Sequence, residues 1–110
     1  MSRILVVEDD PNSRDGLAMF LEIEGHEVAT CGSGAKALAL LGAAPYDVLL
    51  TDYVMPGMNG IDLARAACAA FPSLHCLIMS GQPPVETAPV FAWLGKPLDL
   101  DALLAAIASA

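Results

Sequence analysis

Apolar and polar residues alternate along this chain with two different periods. Ile4 to Val7 is an unbroken apolar run containing β-branched residues, the pattern of a central strand buried on both faces. Asp10 and Pro11 then read as an N-cap and first helical residue, and Leu17, Phe20, Leu21 and Glu24 recur at helical spacing until Gly25. The pattern repeats. Val28 to Thr30 predicts a second strand, and a second helix opens near Ser33, turns Ala37, Leu38 and Leu41 to one face and ends at Gly42. Val48 to Thr51 predicts a third strand; after a Pro/Gly-rich turn, Asn59 caps a helix with Ile61, Ala64, Ala67, Cys68 and Phe71 on its apolar face, stopped by Pro72. Cys76 to Met79 predicts a fourth strand, Val90 to Leu94 a fifth, and Asp99 caps a last helix carrying Leu103, Ala106 and Ile107.

Strands alternating with helices predict an α/β fold, a doubly wound five-stranded parallel sheet with helices on both faces, because parallel strands need crossover connections. Composition agrees. A chain of 110 residues has room for one domain, read as residues 1–110, and a hydrophobic share of 55% against 16% charged residues argues for a well-filled core. The net charge of −8, from 5 basic against 13 acidic residues, excludes a surface that neutralises a run of phosphates, so no nucleic acid is expected as a partner. Apolar stretches are broken well before the roughly 20 residues of a membrane span, and Met-Ser-Arg leads straight into a strand, so a soluble, cytoplasmic protein with no membrane association is expected. The same opening reads as a natural start, while the apolar end at Ala110 is compatible with a C-terminal extension.

Cys31, Cys68 and Cys76 are odd in number and lack paired zinc-site spacings, and are read as buried, reduced thiols. His26 and His75 stand apart from any second catalytic or ligating residue and are read as surface or strand-end histidines.

Open α/β sheets bind ligands beyond the carboxyl ends of their strands, at the switch point of strand order. Those ends carry Glu8, Asp9 and Asp10 after the first strand, Asp52 after the third, Ser80 after the fourth and Lys96 after the fifth. Converging carboxylates repel unless a cation sits among them, and Mg2+ prefers oxygen ligands: one or two carboxylates, water and phosphate. Lys96 and Ser80 are side-chain types that hold the equatorial oxygens of a transferring phosphoryl group, with Asp52 as the carboxylate nucleophile. Plainer roles suit three other polar residues: Asp10 is a cap before Pro11, and Asn59 and Asp62 are a cap and a first-turn anion.

The segment Arg3-Ile4-Leu5-Val6-Val7-Glu8-Asp9-Asp10 resembles the first strand and acidic pair of bacterial two-component response-regulator receiver domains. Asp52-Tyr53-Val54-Met55-Pro56-Gly57-Met58-Asn59-Gly60 resembles their phosphorylation loop, and the likeness covers nearly the whole chain. The resemblance implies a flavodoxin-like strand order 2-1-3-4-5, with Asp52 as phosphoacceptor, Asp9 as direct metal ligand, Glu8 as ligand through water and Val54 as ligand through its backbone carbonyl. It further implies Mg2+ or Mn2+ as cofactor, Ser80 as switch hydroxyl, Lys96 as phosphate-binding lysine, and Trp93 as the aromatic whose rotamer reports phosphorylation, where family members usually carry Tyr or Phe. The partners so implied are a sensor histidine kinase or phosphotransfer protein and a downstream protein target. Autophosphorylation from small donors and autodephosphorylation are the only chemistry expected, so the chain is not read as an enzyme.

One departure stands out. Only residues 81–95 separate Ser80 from Lys96, and Pro83, Pro84 and Pro89 fall among them, whereas an ordinary helix needs about 11 residues without internal proline. The crossover helix between the fourth and fifth strands is therefore expected to be missing or reduced to one turn. Its loss would expose apolar strand surface around Met79 and Phe91, beside outward-facing Leu100, Leu104, Ala105 and Ala108 on the last helix, and would suit a homodimer or a partner at that face; a Pro83 to Pro89 loop folded down over the strands is the alternative. Two competing functions are an aspartyl phosphatase, which needs a second acid where this chain has Val54, and a receiver-like interaction module that works without phosphorylation.

Overall fold

The computed structural model describes residues 1–81 and 92–109. Its elements follow in the order β1 (Arg3–Val7), α1 (Pro11–Ile23), β2 (Glu27–Cys31), α2 (Gly34–Ala43), β3 (Val48–Asp52), α3 (Gly60–Ala70), β4 (His75–Ser80), β5 (Ala92–Gly95) and α4 (Leu100–Ala108). The strands form one parallel sheet in the order β2-β1-β3-β4-β5, the expected flavodoxin-like arrangement.

Successive side chains in a strand point to opposite faces, and that period of two divides the core. Ile4, Val6, Val48, Leu50, Leu77 and Met79 join Leu21 of α1 and Leu103 and Ile107 of α4 on one face. Leu5, Val7, Leu49, Cys76 and Ile78 meet Ala37 and Leu41 of α2 and Ile61, Leu63, Ala64 and Ala67 of α3 on the other. Each fully buried Leu or Ile contributes roughly 1.5–3 kcal/mol through the apolar area removed from water, so continuous apolar runs are the sequence such a sheet requires.

Among the described residues, Asp10, Ser33, Asn59 and Asp99 cap α1, α2, α3 and α4 through their side chains. Gly25 follows α1 with φ +93°, a left-handed conformation that costs a glycine little, so the helix stops where expected. Gly42 does not end α2. The helix runs on to Ala43, and Ala44 turns extended at φ −155° because Pro45 behind it disfavours the helical conformation in the preceding residue.

Met79 is also not exposed. It is fully buried on the α1/α4 face, where the strand alternation places it with Leu77 beneath Leu103 and Ile107. Leu104 packs against the same cluster, leaving Leu100, Ala105 and Ala108 as the exposed apolar residues of α4 that were expected outside. Met79 is thus no part of an exposed apolar face, whereas Leu100, Ala105 and Ala108 are as open as expected. Phe91, Val90 as expected start of the fifth strand, and residues 83–89, where a folded-down loop or a reduced crossover helix was expected, lie outside the described residues. Among the described residues no helix is long and apolar enough to cross a membrane.

Candidate functional site at the carboxyl edge of the sheet

Strand register brings the polar strand ends into one row. Val7 lies opposite Thr51, so Glu8 and Asp52 leave β1 and β3 side by side, at the point where strand order reverses. Asp52 lies opposite Met79, which puts Ser80 one residue further along β4; Ser80 lies opposite Gly95, and the Lys96 N–H donates to the Ser80 carbonyl at 2.9 Å.

The loop after β3 is tied to this frame by its backbone. Tyr53 N–H donates to the Met79 carbonyl, and Gly60 N–H donates to the Tyr53 carbonyl, both at 2.8 Å, while the Thr51 hydroxyl donates to the Asp52 carbonyl at 3.0 Å. Gly60 is required here for closeness. A Cβ at this position would run into the Asp52 carbonyl oxygen and lie 2.9 Å from Tyr53 Cα.

Glu8 is 4% exposed and Asp52 7%, whereas Asp9 is open to solvent, and one carboxylate oxygen of each lies within 4.8 Å of the others. Lys96 reaches into this cluster: its ammonium lies 2.7 Å from Asp52 Oδ1 and 3.8 Å from Glu8 Oε2. Burial raises the Glu8 pKa above its ordinary value; the Asp10 N–H and Lys96 oppose that shift and the Asp52 charge adds to it. Burial alone would lower the Lys96 pKa, but its hydrogen bond and charge pairing with Asp52 outweigh this and raise it, so the ammonium stays protonated. Asp10 has a separate task. Its carboxylate accepts from the Ser13 hydroxyl at 2.7 Å and the Ser13 N–H at 3.2 Å, bonds that hold its pKa below the ordinary value, as befits a cap.

Three acids against one ammonium leave an excess of negative charge in a partly buried place, and all the donors are hard oxygens. Mg2+ gathers oxygen ligands within a few ångströms of one another, and one carboxylate oxygen from each of the three acids lies within 4.8 Å of the others. The residues fit such an ion. A groove of ≈ 390 Å³ opens beside the cluster, lined by Glu8, Ser13, Leu17, Phe20, Lys96 and Leu98 among others.

Residues 4–108 of this chain match the response regulator receiver domain. The chain belongs to that family. A receiver domain is a phosphoacceptor module of two-component signalling, and this chain is one. It is similar to the response regulator receiver protein CpdR of Brucella abortus, with 43% identity over 81 residues that cover 74% of this chain and 68% of that one. It is also similar to the DNA-binding transcriptional regulator NtrC of Azospirillum brasilense, 34% identical over 110 residues; these cover 94% of this chain and 23% of the relative, so the likeness concerns one part of a longer protein. Among solved structures, the response regulator protein TrrA of Thermotoga maritima in complex with Mg2+-BeF superposes with a TM-score of 0.89 at 26% identity, covering 99% of this chain and 98% of that one.

Of the residues singled out in the sequence, Glu8, Asp9, Asp52 and Lys96 meet in one cluster of this receiver domain. Ser80 is buried at the next strand end, and Val54 sits in the loop with its side chain 63% exposed. Trp93 stands on β5 with its ring 5.4 Å from that of Tyr53, the residue directly after Asp52. Tyr53, Thr51 and Gly60 were not assigned roles from the sequence, and neither was Arg14, whose guanidinium donates to the Glu8 carbonyl at 3.2 Å. Tyr53 and Gly60 lay within the loop segment and Thr51 beside Asp52, but the contacts that give them and Arg14 their roles depend on how the strands and loops meet, which no residue pattern encodes.

Proposed function

We propose that Asp52 is the phosphoacceptor, taking its phosphoryl group from a histidine of a sensor kinase or phosphotransfer protein. An Asp52 carboxylate oxygen forms the new bond to phosphorus as the bond from phosphorus to the donor's imidazole nitrogen breaks, leaving an acyl phosphate on Asp52 and a neutral imidazole once the nitrogen takes a proton. Asp9 and Asp52 would hold a divalent cation, Mg2+ or Mn2+, directly, with Glu8 through water and the Val54 carbonyl supplying the rest of the protein's share. When bound, that ion neutralises charge on the phosphoryl oxygens. Lys96 pairs with a phosphoryl oxygen, the Ser80 hydroxyl donates to another, and the Trp93 ring responds to the change beside it.

The observation that carries this reading is the 2.7 Å contact of the Lys96 ammonium with Asp52 inside a three-acid cluster. The likeness to a receiver bound to Mg2+-BeF supports the cation. Turnover of phosphoesters is outside this reading, since Val54 offers no general acid. The intrinsic chemistry is limited to uptake from small donors and hydrolytic loss. A module that works without phosphate is the weaker reading, because it leaves the pairing of Asp52 with Lys96 without a purpose. Intact-mass measurement with acetyl phosphate and Mg2+ tests the proposal: one phosphate adduct is expected on the wild-type chain and none on Asp52→Asn. An equal adduct on the variant, or none on either, overturns the assignment.

A further inference from the structure

Away from the acid cluster, two sulfur atoms meet between α3 and β4. Cys68 stands near the end of α3 and Cys76 near the start of β4, and their Sγ atoms are 2.9 Å apart. A disulfide bond is about 2.05 Å long, so closure needs a further approach of roughly 0.9 Å, within the reach of small side-chain rotations. Both residues are free thiols; Cys76 is buried at 5% exposure, and Cys68 is half-buried and so the one a solution reagent meets first. Cys31 lies on β2 with its sulfur 3.6 Å from the Ser33 carbonyl, outside this contact.

We propose that Cys68 and Cys76 are a redox-responsive dithiol that closes to a disulfide linking α3 to β4 when a low-molecular-weight disulfide such as oxidised glutathione is the oxidant. The Cys68 thiolate sulfur attacks one sulfur of the oxidant; a mixed disulfide forms, the oxidant's own S–S bond breaks and one thiolate leaves. Cys76 then releases its proton to solvent, attacks the Cys68 sulfur and expels the second thiolate. In sum two protein thiols lose two electrons and two protons, and one oxidant disulfide becomes two thiols. Burial, with the neighbouring Cys68 thiol, pushes the Cys76 pKa far above the ordinary thiol value, so Cys68 rather than Cys76 begins the exchange and Cys76 is the resolving thiol.

The link sits at the end of the sheet remote from the phosphoacceptor. Cys76 lies opposite Leu49, three residues before Asp52, or about 10 Å along the strand. Closure therefore joins the elements that frame the Asp52 loop without engaging Glu8, Asp9, Asp52 or Lys96. In a reducing setting the pair rests as thiols, and such pairs respond to redox change rather than serve as permanent cross-links.

The test equilibrates the full chain in buffers graded from reduced to oxidised glutathione, quenches with acid, alkylates with iodoacetamide after return to mildly basic pH in denaturant, and records intact masses. Oxidising buffers are expected to yield a monomer that takes one alkyl group instead of three and is about 2 Da lighter before alkylation, reversed by dithiothreitol. Cys31→Ala should still close; Cys68→Ser and Cys76→Ala should give only adducts of glutathione. The half-buried Cys68→Ser variant, checked by circular dichroism, carries the result if Cys76→Ala misfolds. Three alkylatable thiols in every buffer, mixed disulfides alone, a disulfide-linked dimer, or loss of closure in Cys31→Ala would each overturn the proposal.

Discussion

At the amino-terminal edge of the sheet, Arg3 pairs with Glu27 at 3.7 Å, its N–H donates to Asp47 at 2.7 Å, and its guanidinium lies 5.2 Å from the centre of the Tyr46 ring. At the carboxyl edge, Lys96 faces Asp52 and Glu8 with Asp9 close by. Both edges use one cation among acids, but they differ in water. The Glu27 side chain is 64% exposed and that of Glu8 5%. Where solvent screens, a pair is worth only a few tenths of a kcal/mol and the residues serve solubility and strand ends. Where solvent is withheld, the same residue types alter one another's protonation, and the excess of carboxylates favours a cation among them. Charge alone does not mark a site; charge out of the water does.

Substitutions at the two edges should therefore differ sharply. The largest effect is expected from Asp52→Asn, which should lose the phosphate adduct completely while unfolding cooperatively in denaturant; a retained adduct would break the comparison at its strongest point. Next is Lys96→Ala, which should keep the fold but abolish the change in Trp93 fluorescence on adding beryllofluoride and Mg2+. An unchanged response would remove Lys96 from the mechanism and leave it a surface cation like Arg3.

Gly60→Ala should cost about 1–3 kcal/mol in urea unfolding, because the new methyl meets the backbone of Asp52 and Tyr53 rather than a side chain that can swing away. Glu8 offers a finer test through pH. Its folded pKa lies above the ordinary 4.5, so the folded chain holds this proton more tightly than the unfolded chain does. Its contribution to stability is then present below pH 4.5 and is lost as pH rises through the raised value. Without divalent cations, the melting temperature of wild type relative to Glu8→Gln should fall across that range, and Mg2+ at neutral pH should recover it. A difference that grows with pH would mean that the cluster does not penalise its own charge. Smallest of all, Glu27→Ala should change stability by under about 0.5 kcal/mol, and less at high salt, as an exposed pair should.

Much of the frame is legible in the residue pattern itself. The apolar runs at Ile4 to Val7 and Val48 to Thr51 became β1 and β3, and Asp10, Asn59 and Asp99 cap helices as expected. The polar strand ends named the cluster of Glu8, Asp9, Asp52 and Lys96. Three local readings give way in the structure: Pro45 rather than Gly42 sets the end of α2, strand alternation sends Met79 to the covered face, and Leu104 packs against that same cluster.

What the sequence by itself determined was local: periods of two and 3.6 residues, caps, and turn-forming prolines and glycines, all consequences of backbone geometry within a few residues. Strand order needed the family resemblance, because apolar patterning leaves the arrangement of parallel strands open. Only the tertiary structure decided that Lys96 lies on Asp52, that Glu8 is shielded from water, that Trp93 meets Tyr53 and that Cys68 touches Cys76. Each of these joins two elements or depends on what covers a strand end. Such contacts are set by register and helix packing, which place side chains to within an ångström, and periodicity carries no information at that scale.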